Sequence, residues 1–350
     1  MLAHVADAWP ADAPRRILAD YWCERGDPDR GMFVHAACEG LVAHSHALLG
    51  EHGLHWFEPL WPHGFHPDRL ALDRGFARPL VLAADSPLWG EPELFRISPI
   101  VLRLGEFVDG QPWAGTYRAT RISVAGERGD VMVRLPWIRN AGRELLAREQ
   151  DLLGQCSHPN VMRVLEVAQN RDGIALVLPH FDGRLELGVA HEEAARIGAQ
   201  LAGAVVEAHR CGVVLGRISL VSVWQSETGP LLDGFATAEC DVEHVEYDDA
   251  TWDWPHEHWM CLAPEQADGA DPTAACDVWA VAMIVTSLAL GRHPFAGLDA
   301  FRLVAEIHDL AFPRVDPDTP LGQVVARVLV DDPARRLTAA ALAQAFAGIS

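Results

Sequence analysis

The chain has 350 residues, is 49% hydrophobic with a mean hydropathy of +0.04, and carries a formal net charge of −21. That length holds one two-lobed domain plus a small extra one, and the composition is that of a globular chain, not a disordered one. The charge excludes nucleic acid as an expected partner, because phosphate binding needs concentrated Arg or Lys. All 28 basic residues are arginine, with no lysine anywhere. Codon bias in a high-GC genome explains this; selection against lysine modification is the sharper alternative. Met1 to Pro10 has neither a basic start nor an apolar core, so the sequence reads as cytoplasmic. Seven cysteines (Cys23, Cys38, Cys156, Cys211, Cys240, Cys261, Cys276) form no CxxC pair, which suits free thiols in a reducing compartment.

From Pro14 to Gly26, Ile17, Leu18, Tyr21 and Trp22 fall at helical spacing, and Gly26 and Pro28 end the helix. A second helix is expected from about Arg30 to Leu49, with Phe33, Val34, Leu41 and Leu48 on its broad apolar face. Trp56, Phe57, Leu60 and Trp61 follow, then an apolar stretch from Pro79 to Ala83. Six histidines (His44, His46, His52, His55, His63, His66) match no recognised metal pattern and read as helix-end and surface residues. The GDPDRG and HGLHWFEPL segments resemble the repeat-companion domain of planctomycete and myxobacterial proteins. That resemblance covers about residues 12–85. It implies a small, mainly α-helical N-terminal domain over residues 1–95 and no chemistry.

Between Phe95 and Leu135, alternating stretches such as IVLRLGEF, GTYRATRISV and VMVRLPW predict antiparallel strands. The turn between the first two runs from Gly110 to Gly115, with Pro112 and Trp113 inside it. Ile174 to Gly183 is a further strand with a connecting segment. His191 to Cys211 is a long amphipathic helix, with Ala195, Ile197, Leu201, Val205 and Ala208 inward. Asp277 to Phe295 is an apolar run opened by an acid and closed by Gly-Arg, which reads as a buried helix too short for a membrane span.

The succession APEQ, DVW and LALGRHPF resembles the centre of the large lobe of eukaryotic-type serine/threonine protein kinases, a family with bacterial members. The likeness spans about 250 residues and implies an α+β, two-lobed kinase-like fold, with the small lobe at 96–183 and the large lobe at 184–350. It implies ATP with Mg as cofactors and allows each motif position to be read. The outer glycines of the phosphate-cradling turn match Gly110 and Gly115, but Pro112 lacks a donor N–H there. The same turn also reads as an ordinary hairpin. Arg134 stands where the family has lysine, and Glu149 where its helix glutamate lies; arginine at such a site is not a conservative replacement. Hinge backbone at Pro179 and Phe181 could still take a purine.

In the large lobe, CGVVLGRISLVS aligns with the catalytic loop. Leu215 replaces its His, Arg217 its Asp base, and Ser222 its metal-binding Asn. Arginine accepts no proton at physiological pH. Asp233 is the remaining magnesium position, either as a metal ligand or, as favoured here, paired with Arg217. Glu265, Asp277 and Arg336 match structural positions, with Glu265 and Arg336 expected to pair. Structural positions kept and catalytic positions lost imply a pseudokinase, a scaffold or allosteric regulator. The alternative is an atypical ATP-binding kinase or phosphoryl or nucleotidyl transferase.

From Ile218 to Gly291 there is no Arg and there are fourteen acids, nine of them between Asp233 and Glu257. Such a run is either a solvated loop or a docking surface for a protein partner with a basic face. It also holds Tyr247, Thr251, Trp252, Trp254 and Trp259, the tryptophans serving as anchors into the lobe or as interface hot spots.

Overall fold

A computed structural model describes residues 11–41, 78–90, 98–111, 113–123, 125–137, 141–170, 173–238 and 259–349, with isolated positions between 45 and 77 and at 94. The chain divides into two compact units, one of Met1–Leu146 with Val164–His180, the other of Ala147–Arg163 with Phe181–Ser350. Both mix helix and strand, so the content is α+β.

The first unit opens with α1 (Asp12–Arg25) and α2 (Pro28–Cys38). Gly26 ends α1 in the left-handed region at φ 101°, and Pro28 starts α2 at a position where no backbone donor is needed. Leu18, Ala19 and Trp22 of α1 are buried with Val34 of α2 and Phe76. The second helix stops well short of the expected Leu49. Gly40 takes φ 71°, and the Leu41 N–H turns back to the Ala36 carbonyl at 2.9 Å, which satisfies the helix end and breaks the run.

Short strands β1 (Leu72–Asp73) and β2 (Phe76–Ala77) pair with each other. Next come β3 (Leu80–Ala83), β4 (Ile100–Gln111), β5 (Ala114–Ser123), β6 (Gly126–Pro136), helix α3 (Ala141–Gln155), β7 (Glu166–Asn170) and β8 (Gly173–Leu178). The sheet order is β3-β4-β5-β6-β8-β7, and it returns on itself through Leu80 opposite Gln169. β3 lies parallel to β4, with Leu80 opposite Val101 and Leu82 opposite Arg103. Leu80, Leu82 and Val101 share one buried cluster with Phe33, Trp56, Phe57, Leu60 and Leu88. The boundary expected at 95/96 therefore runs between two paired strands. Burial explains why: β3 is apolar at successive positions and would expose Leu80, Val81 and Leu82 if left alone.

In the second unit β9 (Gly183–Arg184), β10 (Val223–Ser226) and β11 (Gly229–Leu232) form a three-stranded sheet. Helix α4 (His191–Arg210) is followed by α5 (Pro264–Ala267), α6 (Ala274–Leu290), α7 (Ala300–His308), α8 (Pro320–Ala326) and α9 (Ala339–Ala347). α4 packs against α6 and α9. Gly198 permits the close approach: a Cβ there would lie 2.6 Å from Val285 Cγ2 and 2.9 Å from Phe346 Cδ2. α6 is buried at every position from Cys276 to Leu288 and ends at Gly291 in the left-handed region. An all-round apolar helix is a core helix. None of the described helices is long and apolar enough to cross a membrane.

Shared burial makes the N-terminal segment part of the sheet's core. A chain starting at residue 96 is expected to lose about 3 kcal/mol or more of stability through the lost Leu80 and Leu82 burial alone. Urea unfolding of the two lengths checks this. Equal midpoints would show that residues 1–95 form a separate module.

Candidate functional site

The loop that matches the kinase catalytic segment is held by its backbone. Asp277, on the first turns of α6, has no solvent exposure. Its carboxylate accepts the N–H groups of Leu215 (2.9 Å) and Gly216 (2.7 Å) and lies 2.8 Å from His209 Nε2. Gly216 takes φ 71°, and its carbonyl accepts from Gln266 Nε2 at 2.7 Å. Gln266 Oε1 in turn accepts the Ala263 N–H at 3.1 Å, so the Ala-Pro-Glu turn and the loop are tied together. His209 escaped the sequence reading. Its ring serves the Asp277 carboxylate from the end of α4.

Glu265 and Arg336 meet in a two-pronged pair, with Arg336 Nη1 2.6 Å from Oε1 and Nη2 2.7 Å from Oε2. Arg336 also donates to the carbonyls of Val330, Ala275 and Asp331, and its guanidinium lies 4.9 Å from the centre of the Trp279 ring. Burial alone would raise the Glu265 carboxyl. The Arg336 hydrogen bonds, a backbone N–H, the Cys276 thiol and the Arg336 charge together outweigh it and hold the group below its ordinary value.

At the catalytic positions the side chains have other partners. The Arg217 guanidinium lies 5.9 Å from the centre of the Trp259 ring. Ser222, 3% exposed, donates its hydroxyl to the Arg217 carbonyl at 3.3 Å and accepts the Ser219 N–H at 3.3 Å. Leu215 is buried.

Asp233 follows β11, 3% exposed, with its N–H on the Ser222 carbonyl at 2.9 Å. Its Oδ1 accepts the Gly234 N–H at 2.8 Å, and its Oδ2 accepts the Trp224 indole N–H at 3.1 Å. Trp224 is the register partner of Arg184 across the β9–β10 pair, so the two side chains share a face. The Arg184 guanidinium lies 3.5 Å from the centre of the indole ring, and the Phe181 ring stacks on Trp224 at 4.1 Å. Arg184 Nη1 donates to the Val221 carbonyl at 2.6 Å. Burial pushes Arg184 down to about 10, against the opposing pull of Asp233, so it remains cationic at neutral pH. Sequence reasoning paired Asp233 with Arg217 and gave no role to Arg184, whose charge acts on Asp233.

Magnesium takes a near-octahedral shell of oxygens. Asp233 offers a buried carboxylate whose two oxygens already accept protein N–H groups, and Ser222 binds the loop backbone. As arranged, these residues do not fit the ion.

In the first unit, Arg134 is 2% exposed and its Nε donates to Thr116 Oγ1 at 3.2 Å. Gly110 and Gly115 oppose each other across the β4–β5 hairpin. A Cβ at either would collide with the Trp137 indole. The turn thus uses its glycines to seat an aromatic ring, and the Trp137 backbone N–H donates to the Trp113 carbonyl at 2.9 Å. Trp137 also packs near Phe107, with ring centres 6.0 Å apart. Pro179 is half-buried. Glu149 is fully buried on α3, in the part of that helix that belongs to the second unit.

Pro112 lies outside the described residues. So do Tyr247, Thr251, Trp252, Trp254 and most of the acidic 233–257 run, and His44, His46, His55, His63 and His66. His52 is described, 3.7 Å from Asp29. Among the described residues no group of three or more His, Cys, Asp or Glu is arranged to hold a metal.

No family model matches the chain. It is similar to CBL-interacting protein kinase 25 of Oryza sativa subsp. japonica, 31% identical over 270 residues, 70% of this chain and 49% of that protein. Serine/threonine-protein kinase PkaA of Streptomyces coelicolor is 29% identical over 268 residues, 69% of this chain and 48% of that one. Tribbles homolog 1 of Homo sapiens is 28% identical over 193 residues, 52% of this chain and 51% of that one. The chain spans about half the length of these curated relatives. The similarity supports a protein-kinase-like chain with an α+β fold.

The Glu265–Arg336 pair makes two checks. Arg336→Ala removes a buried guanidinium and leaves the half-buried Glu265 carboxylate without it, and is expected to cost about 2–3 kcal/mol in urea unfolding. Because the folded Glu265 value is depressed, its stabilisation is complete above the ordinary value of 4.5 and is lost as pH falls through the folded value. Glu265→Gln is therefore expected to flatten the acid limb of the stability–pH profile; an unchanged limb would show that other groups set it.

Proposed function

We propose that this protein is a pseudokinase, a catalytically impaired protein-kinase-like chain with the two-lobed layout, acting as a scaffold or allosteric regulator of a protein partner. The observation that carries the reading is the state of Asp233. Its carboxylate is buried under Trp224, with Arg184 and Phe181 stacked on that indole. Two further features support it. The base position is Arg217, which takes up no proton, and the glycines of the hairpin turn are occupied by Trp137. Phosphoryl transfer depends on positioning phosphates and metal by electrostatics, and these are the functions whose residues are redirected. The acidic 233–257 run is the surface we assign to the partner, whose own face would be basic.

The test is calorimetry with ATP, with and without magnesium, on the wild type and on Asp233→Ala. No binding is expected at millimolar ATP in either condition. Magnesium-dependent binding that disappears in Asp233→Ala would overturn the reading in favour of an atypical ATP-dependent kinase or transferase, the activity printed in the names of several relatives. Trp224→Ala removes the indole and with it one donor to the buried Asp233 carboxylate, and is expected to destabilise the fold by about 3 kcal/mol or more in urea unfolding.

A further inference from the structure

The ends of two helices in the second unit bring two half-buried thiols together. Cys156 directly follows α3, and Cys211 directly follows α4. The two thiols are near enough for Cys211 to raise the Cys156 thiol. The contact is held from several directions. Cys211 Sγ donates to the Gln155 carbonyl at 3.2 Å, and the Ser157 N–H donates to Glu207 Oε1 at 2.8 Å. Arg210 grips the same Glu207 through two bonds of 2.8 Å and reaches Cys211 Sγ at 3.6 Å. By contrast, Cys261 and Cys276 are buried against His293 and Glu265.

We propose that Cys156 and Cys211 are a redox-modification site, a dithiol that a small-molecule disulfide or a hydroperoxide converts to an intramolecular disulfide joining the end of α3 to the end of α4. Cys211 takes the first step in this scheme: Arg210 Nη2 reaches its sulfur at 3.6 Å, with Glu207 Oε1 at 3.9 Å. Its thiolate attacks one sulfur of the small disulfide and releases one small thiol. Cys156, its neighbour, then attacks the mixed disulfide at the Cys211 sulfur, releasing the second small thiol. Two protein thiols lose two electrons; the reagent gains them, and the two thiol protons leave on the released thiols. With a hydroperoxide the first product is a sulfenic acid on Cys211 plus alcohol or water, and Cys156 then displaces water from it. Burial, and then its Cys211 neighbour, push the Cys156 thiol up to about 12, so it is largely protonated near neutral pH and its intramolecular attack is the slower of the two steps.

The consequence is local. Gly212 follows at φ 75° and turns the chain into the loop whose Leu215 and Gly216 are held by Asp277. A bond at Cys211 fixes the entry to that loop against α3, whether or not nucleotide binds.

The experiment treats the reduced full chain with oxidised glutathione, and separately with hydrogen peroxide, then maps digested peptides by mass spectrometry. The expected result is a Cys156–Cys211 linked peptide, two thiols lost, and both recovered with dithiothreitol. Cys156→Ser is expected to trap a stable glutathione adduct on Cys211. A persistent adduct in the wild type, a bond to another cysteine, a link between two chains, or no loss of thiols would each overturn the proposal. The wild-type map decides without any variant having to fold.

Discussion

A carboxylate with no solvent exposure must be met by donors, and Asp277 meets three of them on one loop and one helix end. Leaving it uncompensated would strand a charge in the core. The Leu215 and Gly216 amides and the His209 ring therefore have to stay where they are, and the loop inherits its course from that requirement. Gln266 and the Glu265–Arg336 pair extend the same frame to the Ala-Pro-Glu turn and the C-terminal segment. The backbone of this region is set by groups that take no part in phosphate chemistry. That is why the loop keeps its shape while Arg217 and Ser222 occupy the positions of an acid and an amide.

Trp224 organises the surroundings of Asp233. An indole pinned between a guanidinium and a phenyl ring, with its N–H spent on Asp233, is a closed set of contacts. Each member satisfies another: Arg184 finds carbonyls and a π-face, Trp224 finds its acceptor, and Asp233 finds its donors. Buried polar networks of this kind are stable when complete and costly when opened. Trp137 at the hairpin glycines is a second case of an aromatic ring resting on backbone that has no side chain in the way.

The sequence made much of this frame legible. The buried α6, the capped end of α1 and the meeting of Glu265 with Arg336 follow from burial pattern, cap residues and charge complementarity. Arg217 and Ser222 were visible because motif positions can be read one residue at a time. Trp224 and Arg184 were not. Each lies in a short apolar or mixed run that reads as ordinary strand, and only the antiparallel register of β9 with β10 puts one over the other. Trp137 was invisible for the same reason: its partners are two glycines more than twenty residues upstream. β3 was read as part of a separate helical module because nothing in a four-residue apolar run says which strand it will join. The second helix ran too long because the left-handed turn at Gly40 ends it in the midst of an apolar pattern that continues.

The seam at Leu80 and Gln169 carries a consequence for recognition. A strand at the border of an open sheet displays a row of unpaired amides and carbonyls, which another chain can extend. Here β3 covers the flank of β4, and the Gln169 N–H of β7 closes onto the Pro79 carbonyl at 2.9 Å. At that seam the sheet has little backbone left to lend. A partner approaching there cannot add itself as one more strand and has to be gripped through side chains, which makes its selection a matter of surface chemistry instead of generic main-chain pairing.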